Sequence, residues 1–282
     1  MKPRIIKIYS KNNDYQYVET LRRNREKRQR AGEFFIEGVR PLNQALHYRW
    51  PLRALLYARE RKLSDWAMNI LRTAYVECHY ELPPQLYAEL SNKSEPSELI
   101  ALVKMPADDL ARIPLKQHPL VVAFDRPASP GNLGTIIRSC DALHADGLII
   151  SGHSVDLYDP ETISATTGSF FALPTVRIAS QKDLLPWLDA IRQQVGHINV
   201  VGSDERGDCE ADAHDFTQPT LLVVGNETWG MSAAYRDLCD TVVNIPIAGS
   251  ASSLNVASAT SILLYEIDRQ RRMQLLDGLN SQ

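Results

Sequence analysis

At 282 residues, 44% hydrophobic and 23% charged, the chain is long enough for two globular domains and ordinary in composition for a globular protein. Its formal net charge of −3 excludes attraction of a polyanion by bulk charge, yet residues 1–30 carry ten Lys and Arg against three acids, a net of +7 on a body of −10. No apolar run approaches a membrane span, "MKPRIIKIYSKNND" is not a signal peptide, and Cys78, Cys140, Cys209 and Cys239 form no CxxC pair, so a cytoplasmic protein without disulfide or metal is expected.

The basic arm, residues 1–30, comes first and is either a candidate electrostatic contact for a polyanion or a solvated terminal helix whose charges do nothing. "FFI" (34–36) predicts a strand, followed by Gly38 and an amphipathic helix. "LRALLYA" (52–58), "VECHYEL" (76–82) and "ELIALVKM" (98–105) predict three more strands, separated by helices at "DWAMNILRTA" and "PPQLYAELSNK". This alternation implies a small α/β domain over 31–105. Residues 106–118, rich in proline and without periodicity, read as a linker.

From 119 to 282 the pattern restarts with longer apolar runs. "LVVAFD", "GLIIS", "TVRIA", "INVVGS" and "TLLVVGN" have the continuous hydrophobicity of strands buried on both faces, with helices between them. A sixth strand, Val242 to Ile247, leads through small residues to a long last helix. An open parallel α/β sheet of about six strands follows, and such sheets bind ligands beyond the carboxyl ends of their strands. Three loops qualify: 125–135, 225–232 and 246–254. Neither domain has GxGxxG or GxxxxGK[ST], and HExxH and GxSxG are also absent, which excludes several large enzyme classes.

In the first loop, Asn132 can cap a helix starting at Leu133, and Gly134 shares a helix face with Arg138, whose planar fork could clamp a phosphate or hydroxyl. In the second, Gly225 permits close approach or a positive φ, and Glu227 near a helix N-terminus suits the macrodipole. In the third, Ser253 is a candidate helix cap, and Asn255 is a poor helix former placed in the first turn.

Together, "NLGTIIRS", "VVGNETWG" and "IPIAGSASSLNVASATSILLYE" resemble the three motifs of the SpoU, or TrmH-type, RNA 2′-O-ribose methyltransferases of the SPOUT class. "FFIEGVRPLNQAL" resembles the start of their small L30e-like substrate-binding domain. The resemblance implies a C-terminal deep trefoil knot, a homodimer, S-adenosyl-L-methionine as cofactor and RNA as substrate, ribosomal RNA before transfer RNA, with no metal. It places Gly225, Ile245 and Leu254 around the adenosyl group, so that a side chain at Gly225 would enter the cofactor's space. Asn132, Arg138, Glu227, Ser253 and Asn255 match catalytic and RNA-facing positions. A protein that keeps the fold and binds RNA without catalysis is the rival from another class. Two departures stand out: Thr228 replaces a glycine common after the motif-two glutamate, and "SEPSEL" replaces a Pro-Gln-Gly.

Overall fold

The computed structural model describes residues 3–114 and 116–280. The chain forms two compact units, one comprising the residues up to Ala107 together with Asp156–Ala172, the other Asp108–Val155 together with the chain from Leu173 onward.

The first unit is built on a mixed five-stranded sheet of β1 (Arg4–Lys7), β2 (Glu33–Glu37), β3 (Leu52–Ala58), β4 (Cys78–Leu82) and β5 (Ile100–Lys104). The strand order is β1-β4-β3-β5-β2, with β1 and β3 parallel to β4, and β5 antiparallel to both β3 and β2. Helices α1 (Asn13–Arg23), α2 (Arg25–Ala31), α3 (Val39–His47), α4 (Asp65–Thr73) and α5 (Pro84–Leu90) alternate with the strands. Asn12 starts α1 by accepting from the Tyr15 N–H, and Tyr15, Val18 and Leu21 bury one helix face at a spacing of three.

Residues 1–30 are therefore not an arm. They supply an edge strand and two helices, and Ile8, Tyr15, Val18 and Leu21 are at most 1% exposed. Arg28, counted among the basic residues of the arm, is itself 1% exposed. It donates to Asp156 at 2.6 and 2.8 Å, to Asp159 at 3.1 Å, and to the carbonyls of Leu21 and Arg22. Deleting this segment would remove part of a core rather than isolate an electrostatic effect.

The segment 156–172, placed by its sequence in the C-terminal domain, also packs in this unit. Its helix α7 (Pro160–Ala165) and a 3₁₀ turn at Ser169–Phe171 present Tyr158, Phe170 and Phe171 to Phe34 and Trp50. The Phe34 and Tyr158 ring centroids lie 4.9 Å apart, and the Trp50 indole N–H donates to the Phe171 carbonyl at 3.1 Å. Aromatic pairs of this kind are worth about 0.5–1.5 kcal/mol each beyond the area they bury. The contiguous division at 119 thus gives way to one set by nonlocal packing.

The second unit is a parallel sheet of seven strands, one more than the apolar runs predict: β6 (Leu120–Asp125), β7 (Gly147–Ser151), β8 (Thr175–Ile178), β9 (Asn199–Ser203), β10 (Cys209–Glu210), β11 (Thr220–Val224) and β12 (Thr241–Asn244). The order is β10-β12-β9-β11-β6-β7-β8. β6, β7 and β11 are buried along their whole length, as their unbroken apolar sequences require. Helices α6 (Pro130–Ala142), α8 (Leu184–Val195), α9 (Ala233–Arg236) and α10 (Val256–Asn280) complete it. From β6 the chain builds outward through β7 and β8, then returns to build the other side, so the order reverses between the neighbours β6 and β11. That reversal opens a crevice beyond their carboxyl ends. Within the expected linker, a 3₁₀ turn at Leu110–Arg112 leads to Ile113, which is buried in this unit's core, and Asp108 pairs with Arg177 at 2.6 Å.

Candidate active site

The loops after β6, β11 and β12 meet at the crevice, and their polar side chains form one chain of hydrogen bonds. Asn255 Nδ2 donates to Asn132 Oδ1 at 3.1 Å, and Asn132 Nδ2 donates to Glu227 Oε1 at 3.3 Å. Glu227 also accepts from the backbone N–H groups of Ala128 at 2.8 Å and Ser129 at 2.9 Å. Its carboxylate thus sits on the free amides just before α6, where a negative charge is favoured.

Both helix starts differ from the sequence expectation. Ser129 caps α6 by accepting from the Asn132 N–H, with Pro130 in the first turn, so Asn132 lies inside the helix and its side chain is free to reach across. Asn255, not Ser253, caps α10: its Oδ1 accepts from the Ala257 and Ser258 N–H groups at 2.9 and 3.4 Å. Its poor helix propensity is the preference of a cap residue. Strand β12 ends at Asn244, leaving the exposed stretch 246–255 as loop.

Beside this relay lies a cleft of about 220 Å³. Gly225, Ile245 and Leu254 line it, as do Glu227 and Ser253 and the carboxylates Asp204 and Glu205. Among the described residues no lysine or arginine lines it, but Arg236 pairs with Asp204 at 2.5 Å. Ser253 is exposed on this rim and makes no hydrogen bond among the described residues. Arg138 is not part of the relay: it is exposed one turn beyond Gly134 on α6, and its guanidinium has no partner among the described residues. Helices α6 and α10 lie side by side and share a hydrogen bond between the hydroxyls of Ser139 and Ser261 at 2.7 Å.

The second loop owes its form to Asn226, a residue that the motif resemblance does not single out. Asn226 donates from Nδ2 to the Arg126 carbonyl at 2.6 Å, and its Oδ1 accepts from the Thr228 and Trp229 N–H groups at 2.9 and 3.0 Å. Its backbone exchanges two 3.0 Å hydrogen bonds with Gly230. An Asn closing a turn on amides two and three residues ahead is a recognisable local signal, and "GNETWG" carries it. Asp125, at the end of β6, grips Arg126 through two 2.9 Å contacts that hold the guanidinium more firmly protonated, and Arg126 in turn donates to the Gly230 carbonyl at 3.2 Å.

Gly225 is required for a reason other than the cofactor. A Cβ there would lie 2.2 Å from the Met231 nitrogen and 2.3 Å from the Gly230 carbonyl carbon, both backbone atoms of the same loop. Close approach, and not a positive φ, excludes every side chain. Gly225→Ala is therefore expected to lower unfolding free energy by about 3 kcal/mol or more in urea titrations, above ordinary overpacking because backbone cannot yield as a side chain does.

Other chemistries find little support. Burial pushes the Cys140 thiol far up and that of Cys239 up to about 12, so neither is poised as a nucleophile. Among the described residues no group of three or more His, Cys, Asp or Glu could hold a metal ion, and no helix is long and apolar enough to cross a membrane.

Comparison with known proteins places this geometry. Residues 119–265 match the SpoU rRNA Methylase family, and residues 12–101 match the SpoU L30e-like domain. The chain is 52% identical over 270 residues to a 23S rRNA (uridine(2479)-2′-O)-methyltransferase of Streptomyces viridochromogenes, covering 95% of this chain and 94% of that protein. It is 28% identical to the 23S rRNA (guanosine(2553)-2′-O)-methyltransferase RlmP of Bacillus subtilis, over 86% of this chain and 91% of the relative. The crystal structure of the SpoU methyltransferase AviRb from Streptomyces viridochromogenes in complex with AdoMet superposes with a TM-score of 0.87 at 52% identity, covering 92% of this chain and 98% of that one. An AdoMet-bound rRNA methyltransferase from Sinorhizobium meliloti gives 0.81 at 28% identity, over 94% and 98%. With both halves of the motif set matched and the identity spanning nearly the whole chain, the protein belongs to the SpoU rRNA methylase family.

Proposed function

We propose that this chain is an S-adenosylmethionine-dependent methyltransferase acting on a ribose 2′-oxygen of ribosomal RNA. The observation that carries the reading is the Asn255–Asn132–Glu227 relay, which joins all three motif loops beside a single cleft. The names of the two relatives above, both 23S rRNA 2′-O-methyltransferases, support ribosomal over transfer RNA.

The cleft suits the cofactor. Gly225, Ile245 and Leu254 give it a small apolar wall that leaves room for a nucleoside, and the Glu205 carboxylate on its lining favours a cationic ligand over a nucleotide phosphate, Asp204 being already paired with Arg236. Gly225, Ile245 and Leu254 would hold S-adenosylmethionine, which supplies an electrophilic methyl group. A ribose hydroxyl is a weak nucleophile and must be positioned before it reacts. Arg138, whose guanidinium donates hydrogen bonds, orients the 2′-oxygen through its lone pairs, and the proton released as the methyl bond forms passes to a nearby RNA phosphate and from there to water. Asn132 and Asn255 fix the facing ends of α6 and α10. Glu227, engaged by three N–H donors, holds the first loop in place, and Ser253 offers a free hydroxyl on the rim.

The same reading includes a deep trefoil knot in the second unit and a cytoplasmic homodimer. The small residues Ala248 to Ser253 support a threaded chain, which needs slim segments. Ile262 and Tyr265, 44% and 56% exposed on α10, support a second copy against that helix. The first unit, built mainly from residues 1–105, would bind the substrate RNA.

The test is methyl transfer from tritiated cofactor to an unmodified 23S rRNA transcript, followed by mapping of the 2′-O-methyl group. Replacing the mapped nucleotide by its 2′-deoxy form must abolish incorporation; continued incorporation would mean base methylation and overturn the assignment. Positive charge on the first unit can be tested without harming its core. Lys7, Lys27 and Arg30 are exposed, and their side chains make no hydrogen bond or ion pair among the described residues. Changing all three to Gln is expected to flatten the log–log salt dependence of RNA binding by about 2, at roughly 0.7–0.9 for each phosphate no longer neutralised. An unchanged slope would place the RNA elsewhere.

A further inference from the structure

Three of the four tryptophans have work in the fold. Trp50 stands in the aromatic cluster, Trp66 donates to Asn43 at 2.8 Å, and Trp187 is buried in the core of the second unit. Trp229 has none. It is 79% exposed, its indole N–H has no partner among the described residues, and its ring meets no other ring. A large apolar ring left in water is a cost that folding alone does not repay.

The loop that carries this ring is fixed from several sides. Asn226 holds the Trp229 N–H, the paired backbone bonds between Asn226 and Gly230 close the turn, and Arg126 anchors Gly230. The ring's chain neighbours Thr228 and Gly230 both line the cleft, and Glu227 two positions before it belongs to the relay. Trp229 is thus an aromatic face mounted on a rigid turn at the rim of the reaction cleft.

We infer that Trp229 is a substrate-binding residue on which a base of the RNA stacks, next to the ribose being methylated. The inference rests on the proposed function, because an RNA whose ribose reaches this cleft must pass the rim. Single-stranded RNA is held by aromatic faces of this kind, and a single base stack contributes enough to change affinity by roughly tenfold or more. A fixed turn loses little conformational freedom on binding, which makes the stack effective. Stacking needs only a π-face, so Trp229 would add affinity and position without naming the base.

The experiment compares wild type, Trp229→Ala and Trp229→Phe with an unmodified 23S rRNA transcript. The alanine variant is expected to lose at least about tenfold in kcat/KM while the phenylalanine variant stays within threefold of wild type, with the cofactor affinity of both unchanged in titration calorimetry. A kcat/KM within threefold in Trp229→Ala overturns the proposal, as does a loss that Phe does not restore. Loss of cofactor binding would make Trp229 a prop of the loop, and dissociation on sedimentation would make it a contact between copies; either result overturns it. A second readout needs no turnover: adding the transcript should quench a tryptophan signal that is missing from Trp229→Phe. Quenching without methyl transfer would count against the proposed function and leave the stack standing, whereas absence of quenching overturns the stack whether or not methyl is transferred.

Discussion

Arg138→Ala is expected to slow methyl transfer at least about 10²-fold, the scale on which positioned catalytic groups act. Cofactor affinity should stay the same, because Arg138 does not line the cleft and touches none of the relay residues. Stability should also hold, since an exposed guanidinium without partners contributes little to the fold. The side chain makes no hydrogen bond or ion pair among the described residues, so a large effect with stability and sedimentation unchanged would come from what it does to substrate. Single-turnover tritium transfer measures it, and a rate within threefold of wild type would remove Arg138 from the mechanism. Arg138→Lys should recover little, because a point charge cannot reproduce a planar fork.

The largest expected effect on stability comes from Arg28→Ala. Arg28 is buried against Asp156, whose side chain is only 6% exposed, and it joins α2 to the segment 156–172. Breaking a buried pair by removing one partner leaves the other charge uncompensated, at a cost of about 3–5 kcal/mol. Urea unfolding followed by far-UV circular dichroism should show the loss in the first unit. Arg28→Met together with Asp156→Leu should recover much of it, since both fully buried charges are then gone and the remaining partner, Asp159, is 37% exposed to solvent. If Arg28→Ala unfolds at the wild-type midpoint, the pair is not holding the segment.

The parts of the fold that are legible in the sequence are those whose burial is local. β6, β7 and β11 are continuous apolar runs, and nothing but a strand buried on both faces suits them. β1 is not legible: "RIIK" has two apolar residues among charges, and only pairing with β4, more than seventy residues away, makes it a strand. β10 has two residues and no pattern to read. Segment 156–172 follows β7 in sequence, and only its long-range contacts, the aromatic ones with Phe34 and Trp50 and the Arg28–Asp156 pair, reveal its allegiance.

At the site, the motif residues are legible but some of their roles are not. The pair Ser129-Pro130 carries the signal for the start of α6, a cap residue followed by proline at the first helical position. Taking Asn132 as the cap hides its side chain's reach to Glu227 and Asn255. Gly225 stands out in the sequence, but the atoms that exclude a side chain there belong to its own loop, five and six residues on. No periodicity reveals a clash between backbone segments.

The division of the chain into units also sets an order of events during synthesis. The first unit requires both the residues up to Ala107 and those from Asp156 to Ala172. On the ribosome, Phe34, Trp50 and the Arg28 guanidinium therefore wait for partners that are translated after two strands of the other unit. At roughly 5–20 residues per second, the interval from Ala107 to Ala172 lasts about 3–13 s. During that time the nascent N-terminal half carries an unpaired cation and an uncovered aromatic patch, the kind of surface that chaperones bind and that crowded chains aggregate through.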